Sequence, residues 1–470
     1  MPRRLWQISA SLAISAALIT TVLPGLAGAA TPRAAGAPAC PVNALQKVSS
    51  PVQITMWHQF PRANEQAIQK LTDQFNSSQN KVHVTLVNQT TYQDLFNKYV
   101  AGLSTGDLPD VAQIEDEGLQ QRIDTRSVLP VQSCIKADHY TELSDFLDRA
   151  VRYYTVKGVL WAMPFNVSAP VLYYNKKAFT KAGLDPNQPP QTLDQIKADS
   201  QKLKASGAVT QAGFGLKDDP WYFQQWLAKT NNTFVNNGNG RNGRATQVTL
   251  NNATGQASFA WMADMVKGGL AVTNDYLNPS SALNNLLGVG NGNLGMTIDS
   301  SADLGTILQV LQSGQYPNVD LGVGTLPSPP GSGGFRVGGA ALYISAKSSP
   351  QKQAAAWQYL KFLNSAASQA QFAVDTGYIP NRKSAVTVPA LQTRWAQVPG
   401  FRVAYDELLN GAGNAASAGP VFGDYLGVRQ AIVDAEGPMF TGTTSPKAAL
   451  AAAISKANSV LAAYNSRVGG

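Results

Sequence analysis

Apolar and polar positions alternate with a period of two over residues 52–57 and 82–87, and with the period of a helix over 64–75 and 92–103. The first pair predicts strands and the second pair amphipathic helices, while the short apolar run 111–114 predicts a buried strand. This βαβαβ opening implies a largely parallel sheet with right-handed crossovers. The same alternation returns after Pro170, with helices over 193–205 and 257–267, a strand over 295–299, then Ser300-Ser301 and a helix over 304–311. A second α/β lobe is therefore expected. Residues 326–334 read as a loop from their Pro and Gly content. Beyond it come a strand over 338–344, a helix over 350–362, and a helical stretch closed by Tyr378-Ile379-Pro380. A final amphipathic helix starts near Ser445 and ends before Gly469. No internal repeat is visible, and the Asn/Gly-rich segment 231–242 is expected to be a surface loop.

One stretch does not fit either lobe alone. Pro164-Phe165-Asn166 suggests a turn, Val171-Leu172-Tyr173-Tyr174 an apolar strand, and Ala182-Gly183-Leu184-Asp185-Pro186 a helix stop. That layout suits a strand crossing between two lobes, with the polar Ser168 turned to a cleft.

Length and composition agree with this plan. A chain of 470 residues exceeds one hydrophobic core and predicts two or three domains, and 44% hydrophobic content marks a globular chain. Arg3-Arg4, the apolar run 12–26 and Ala27-Gly28-Ala29 form the three regions of a secretory signal, and no later run approaches the length of a membrane span. The two cysteines, Cys40 and Cys134, then lie in an oxidising compartment, where one disulfide tying an N-terminal extension to the first lobe is expected. The competing reading, a lipid-modified Cys40, has Ala37-Pro38-Ala39 as a poor match before it. A net charge of +8 falls by two with loss of the signal. Its Lys and Arg residues are scattered, without the dense basic run or aromatic interleaving of a nucleic-acid surface.

Enzyme-like patterns occur but lack their context. Gly102-Leu103-Ser104-Thr105-Gly106 has the spacing of a nucleophile elbow, yet a helix precedes the serine where a strand is needed. Gly290-Asn291-Gly292-Asn293-Leu294-Gly295 precedes a strand rather than linking strand to helix, the wrong order for a dinucleotide site. His58, His83 and His139 have no metal-ligand spacing. Glu115-Asp116-Glu117 follows a buried strand and could supply a carboxylate pair for glycoside hydrolysis. At the end of a parallel strand such carboxylates equally accept hydrogen bonds from ligand hydroxyls, the better reading for an exported two-lobe protein.

Several longer motifs then converge. Thr55-Met56-Trp57-His58, Thr105-Gly106-Asp107-Leu108-Pro109-Asp110, the stretch 164–175, and Ala182-Gly183-Leu184-Asp185-Pro186-Asn187-Gln188-Pro189-Pro190 occur in that order. They are followed by Met296-Thr297, Gly338-Gly339-Ala340, Thr376-Gly377-Tyr378-Ile379-Pro380 and Val428-Arg429. Over nearly the whole exported chain this resembles the extracytoplasmic solute-binding proteins of ABC importers, and among them the sn-glycerol-3-phosphate-binding proteins. The resemblance implies the two-lobe periplasmic-binding-protein fold of α/β class (type II, hinge-bending) with a ligand cleft between the lobes. The implied layout is a signal peptide over 1–29, an extension over 30–50, one lobe from 51–165 with 335–390, and the other from 166–334 with 391–470.

The resemblance also implies a ligand set: Tyr92, Ser168, Ser300, Gly339, Tyr378 and Arg429, with Asp116 where the family has glutamate. Arg429 would offer a planar fork to phosphate oxygens, Gly339 a close backbone approach, and Asp116 an acceptor for glycerol hydroxyls. One departure bears on the ligand. The family's best-known members carry two tryptophans in the second lobe, whereas here only Trp221 is kept, with Asp218 near the other position. Asp218 would repel a phosphate monoester, yet it could sit beside a choline cation with Trp221 as its aromatic face. A glycerophosphodiester such as glycerophosphocholine is thus expected alongside glycerol 3-phosphate, with a sugar as the alternative ligand and a secreted hydrolase as the less favoured class. The expected partners are the small phosphate ester and the permease subunits, without nucleic acid, for a monomer needing no cofactor or metal.

Overall fold

The computed structural model describes residues 38–275 and 284–469. The expected signal peptide and the first part of the extension lie outside the described residues. Among those described, no helix is long and apolar enough to cross a membrane.

Two mixed sheets, each flanked by helices, build the two lobes. In the first, strand β1 (Val52–His58) pairs in parallel with β2 (Val82–Asn88) and β3 (Val111–Glu115). The crossover helices bury one apolar stripe each. Helix α1 (Arg62–Ser78) turns Ala67, Ile68, Leu71 and Phe75 inward. Helix α2 (Tyr92–Thr105) starts where the Thr91 hydroxyl accepts from the Asp94 N–H and stops at Gly106, whose φ of 83° closes the last turn. In the second sheet Ala212–Asp218 lies between Ala271–Asp275 and Leu294–Ser300, all parallel.

The β1–β3 opening is parallel as expected, but antiparallel strands complete both sheets, and the chain path explains why. Strands of βαβ units end at the cleft, so β3 ends at Glu115, and Ala212–Asp218 and Leu294–Ser300 end there too. A strand that enters a lobe from the cleft must run the other way. Gly338–Ser345, arriving in the first lobe, is antiparallel to β3 and to Met163–Ser168. Pro170–Asn175, arriving in the second, is antiparallel to Leu294–Ser300 and Leu321–Gly324. The crossing itself is a single residue, Ala169, between two strands that are buried throughout. Pro164-Phe165-Asn166 is accordingly strand, not turn. Its irregularity survives as a register shift opposite Ala340 and Ala341, beside a proline that has no N–H to give the ladder.

The segment 231–242 is also more than a surface loop. Asn239, with φ of 64°, is buried, its Oδ1 accepting from the N–H groups of Phe234 and Val235 and its Nδ2 donating to the Ala415 carbonyl. Short asparagine side chains tolerate this left-handed backbone because they bond locally.

Cys40 and Cys134 form a disulfide with Cα atoms 4.8 Å apart across a sequence separation of 94. It pins the turn Val42–Leu45 to the helix Val131–Ala137, both sulfurs being buried in the first core. Reduction should lower unfolding stability by about 2–4 kcal/mol, the usual effect of closing a long loop in the unfolded chain. Urea unfolding with and without reductant measures it, and unchanged midpoints would contradict it.

Candidate functional site

Between the sheets lies a cavity of about 460 Å³ whose walls come from both lobes. The first lobe contributes Gln59 of the β1–α1 turn, Arg62 and Asn64 at the start of α1, then Tyr92, Glu115, Ser168, Gly339 and Tyr378. The second contributes Lys217, Asp219, Trp221, Tyr222, Asp299, Ser300, Asp303 and Arg429. Tyr92, Ser168, Trp221, Ser300, Gly339, Tyr378 and Arg429, all expected from sequence, are thus brought together.

The floor in the first lobe is a polar relay. Asn166, buried in the crossing strand, donates to the Tyr92 hydroxyl at 3.1 Å and receives from the Gln113 amide at 3.1 Å, and Tyr378 is hydrogen-bonded to Asn166 and Tyr92. Burial pushes both phenols well above their ordinary value, so they stay protonated donors. Tyr378 also stacks on Phe372 with ring centres 5.3 Å apart, which fixes its ring. Gly339 passes at φ of 102°, and a Cβ there would come 1.9 Å from the Asn166 carbonyl oxygen.

On the opposite wall, Asp219 is the residue before the helix Pro220–Lys229. Its Oδ1 accepts from the Trp221 N–H at 3.0 Å and from Arg429 Nη2 at 2.7 Å and Nε at 3.2 Å. Glu115 reaches Arg429 Nη1 from the other lobe at 3.4 and 3.5 Å and accepts the Tyr425 hydroxyl at 3.2 Å. Burial pushes the Glu115 carboxyl up while Arg429 pulls it down. Trp221 lies edge-on to Tyr222 and close over Gly338, where a Cβ would stand 2.5 Å from the indole. Ser300 accepts the Ala302 N–H through its hydroxyl oxygen, leaving the hydroxyl proton to give.

Two expected residues do not line this cavity. Asp116 begins a 3-10 turn after β3 and bends back, so its carboxylate meets Arg336 Nη1 at 2.7 Å, with Glu117 on Nη2 at 3.2 Å. All three side chains are buried, and the two carboxylates hold the Arg336 guanidinium firmly charged. The cleft carboxylate is Glu115. In the same way Asp218, the last residue of its strand, hydrogen-bonds Glu436, whose carboxyl is pushed well up by burial and by that contact. The residue facing the cleft is Asp219. Each expectation was displaced by one position at a strand end, where the chain leaves the two-residue alternation. For Asp219 a signal existed: Asp-Pro at the start of an apolar stretch marks a helix N-cap. For Asp116 the partner stands 220 residues away, beyond any local pattern.

The bacterial extracellular solute-binding protein family model matches residues 70–400. The chain belongs to this family. The sn-glycerol-3-phosphate-binding periplasmic protein UgpB of Brucella melitensis is 27% identical over 417 residues, covering 87% of this chain and 93% of the relative. UgpB of Rhizobium meliloti is likewise 27% identical, with 87% and 94% covered. Among solved structures, UgpB from Mycobacterium tuberculosis in complex with glycerophosphocholine superposes with a TM-score of 0.70 at 22% identity, covering 88% of this chain and 99% of that one. The GacH receptor of Streptomyces glaucescens, solved unliganded and with acarbose, gives 0.72 at 20% identity, covering 88% and 99%. These likenesses establish the two-lobe α/β fold.

As a UgpB-like solute-binding protein of an ABC importer, the chain captures a small molecule for a membrane permease and is not an enzyme. The enzyme-like patterns resolve structurally. Ser104 is an exposed residue of the last turn of α2, donating to the Ala101 carbonyl. Gly290 to Gly295 joins the helix Asn284–Gly290 to a strand. The three acids 115–117 split between the cleft and the buried Arg336 pair. His58 is buried, held near pKa 4 by desolvation, and accepts the Phe60 N–H through Nδ1. The described residues contain no cluster of His, Cys, Asp and Glu suited to a metal ion.

Proposed function

We propose that the protein captures a glycerol phosphodiester such as glycerophosphocholine, closes its lobes on it by hinge bending, and presents it to the permease. The observation that carries this reading is the setting of Arg429: a guanidinium clamped by Asp219, contacted from across the cleft by Glu115, and placed on the wall that holds Trp221. A phosphodiester carries one negative charge and competes with Glu115, which stands 3.4 Å from Arg429 Nη1. A phosphate monoester carries roughly −1.5 to −2 and meets a cleft in which Glu115, Asp219, Asp299 and Asp303 already outnumber Arg62, Lys217 and Arg429. The carboxylates and the Trp221 face suit the quaternary ammonium of the same solute. UgpB relatives, one of them solved with glycerophosphocholine, support the ligand class.

Calorimetry with glycerophosphocholine, glycerol 3-phosphate and maltose tests it. The diester should bind at least about tenfold tighter than the monoester, a difference of roughly 1.4 kcal/mol. Glu115→Gln should shift that ratio toward glycerol 3-phosphate, because one opposing charge is gone. Tight monoester binding without diester binding would sink the proposal. A neutral sugar is the second reading, favoured by the excess of acceptor carboxylates and tyrosine hydroxyls on the walls; preferential stabilisation by maltose in the same panel would select it.

A further inference from the structure

The second lobe holds a carboxyl pair at the cleft that the ligand set above does not use. Asp299 is the penultimate residue of the strand Leu294–Ser300, and its Oδ1 is saturated by Lys217 Nζ at 2.5 Å, the Tyr222 hydroxyl at 3.2 Å and the Ser300 N–H at 2.8 Å. Its Oδ2 receives no N–H or hydroxyl donor among the described residues, although the side chain is only 1% exposed and lines the cleft. Asp303 follows one turn later, half-buried, lining the same wall and hydrogen-bonded to Asp299 when it carries a proton. An unserved, desolvated carboxylate oxygen is costly, and a proton shared with Asp303 relieves it. The ammonium of Lys217, fixed on the other oxygen, supplies a donor next to two acceptors. Donor and acceptors at that spacing are what adjacent hydroxyl groups need, since each hydroxyl both gives and takes one hydrogen bond.

We propose that Asp299 and Asp303, with Lys217, form a diol subsite that takes the vicinal hydroxyls of the glycerol moiety. This rests on the phosphodiester reading above and orients the solute: glycerol at the Asp299–Asp303 pair, phosphate at Arg429, and ammonium toward Trp221. The cross-lobe contact of Asn64 Nδ2 with the Ala302 carbonyl at 3.3 Å shows that the first lobe reaches this wall.

Burial first, and the Asp299 charge second, push Asp303 up to about 7. The charged and titratable groups facing it are Asp299, Lys217, Arg62 at the start of α1, Tyr173 and Tyr378. When hydroxyl donors replace the shared proton, binding favours the ionised pair, so affinity rises with pH through that value.

Titration of the full chain with glycerophosphocholine and with methyl phosphocholine, a diester that keeps the single negative charge and lacks the glycerol, tests the subsite. Asp303→Asn should weaken glycerophosphocholine binding at least about tenfold, the size of one hydrogen bond to a charged acceptor, and leave the methyl diester within about twofold. Raising the pH from 6 to 8 should tighten the wild-type complex with glycerophosphocholine and not that of the variant. Asp303→Glu, which keeps the charge, serves if the asparagine variant melts early. Equal losses for both ligands, or none, would overturn the subsite while the phosphodiester reading stands. A wild-type protein that binds neither glycerophosphocholine nor methyl phosphocholine would overturn both.

Discussion

Replacing Arg429 by alanine is expected to abolish binding of a phosphate-bearing solute and to destabilise the free protein by about 3–5 kcal/mol, the usual result of removing one member of a buried ion pair. The side chain is 7% exposed and stands between Glu115 at 11% and Asp219 at 3%. Without the guanidinium, two carboxylates from opposite lobes face each other in a poorly solvated cleft. The deficit should depend on pH with a definite sign. Burial already raises the Glu115 carboxyl above its ordinary 4.5, and loss of Arg429 raises it further. The folded variant then holds a proton that the unfolded chain releases, so the deficit is small below about 4.5 and grows as pH rises through the new folded value. Denaturant unfolding at pH 4.5 and 7.5 measures this. Arg429→Lys should recover much of the stability but not the affinity, because an ammonium is a point charge without the fork. Unchanged affinity in the alanine variant would place Arg429 outside the site.

Gly339→Ala should be the most damaging substitution that changes no charge. A residue with a side chain at φ of 102° is strained by about 1–3 kcal/mol, and its Cβ would lie 1.9 Å from the Asn166 carbonyl oxygen and 3.4 Å from the Ser168 N. Both obstacles are backbone atoms of the crossing strand, which has no room to yield. A total loss of at least about 3 kcal/mol follows from strain and clash together. The displaced strand carries Asn166, which positions Tyr92 and Tyr378, so affinity should fall with stability. Gly338→Ala provides the contrast. Its Cβ meets the Trp221 ring at 2.5 Å, a side chain that can swing away, so the expected stability loss is smaller and the change appears in Trp221 fluorescence. Equal unfolding midpoints for Gly339→Ala and the wild type would refute the argument.

The parts of the site that the sequence made legible are those carried by motifs at element ends. Tyr92, Ser300 and Gly339 were named by the family resemblance, and the structure sets Tyr92 at the start of a helix behind a threonine cap, Ser300 at the end of a strand and Gly339 second in another. The acids were legible as a group but not individually. At the ends of β3 and of Ala212–Asp218 the backbone leaves the strand, and which of two adjacent carboxylates turns to the cleft depends on where a distant partner waits. Arg336 claims Asp116, and Glu436 claims Asp218. Lys217 and Asp299 went unnoticed because neither is unusual locally; only their 2.5 Å contact across adjacent strands makes them a unit.

By itself the sequence determined the α/β class, the two lobes and the crossing at residues 163–176, because hydrophobic periodicity and turn chemistry act over a few residues and are written consecutively. Tertiary structure alone decided the antiparallel strands of both sheets, since strand direction depends on which side the chain enters a lobe. It also decided which carboxylates face the solute, because that choice is an electrostatic competition among groups hundreds of residues apart, settled only when burial brings them within a few ångströms.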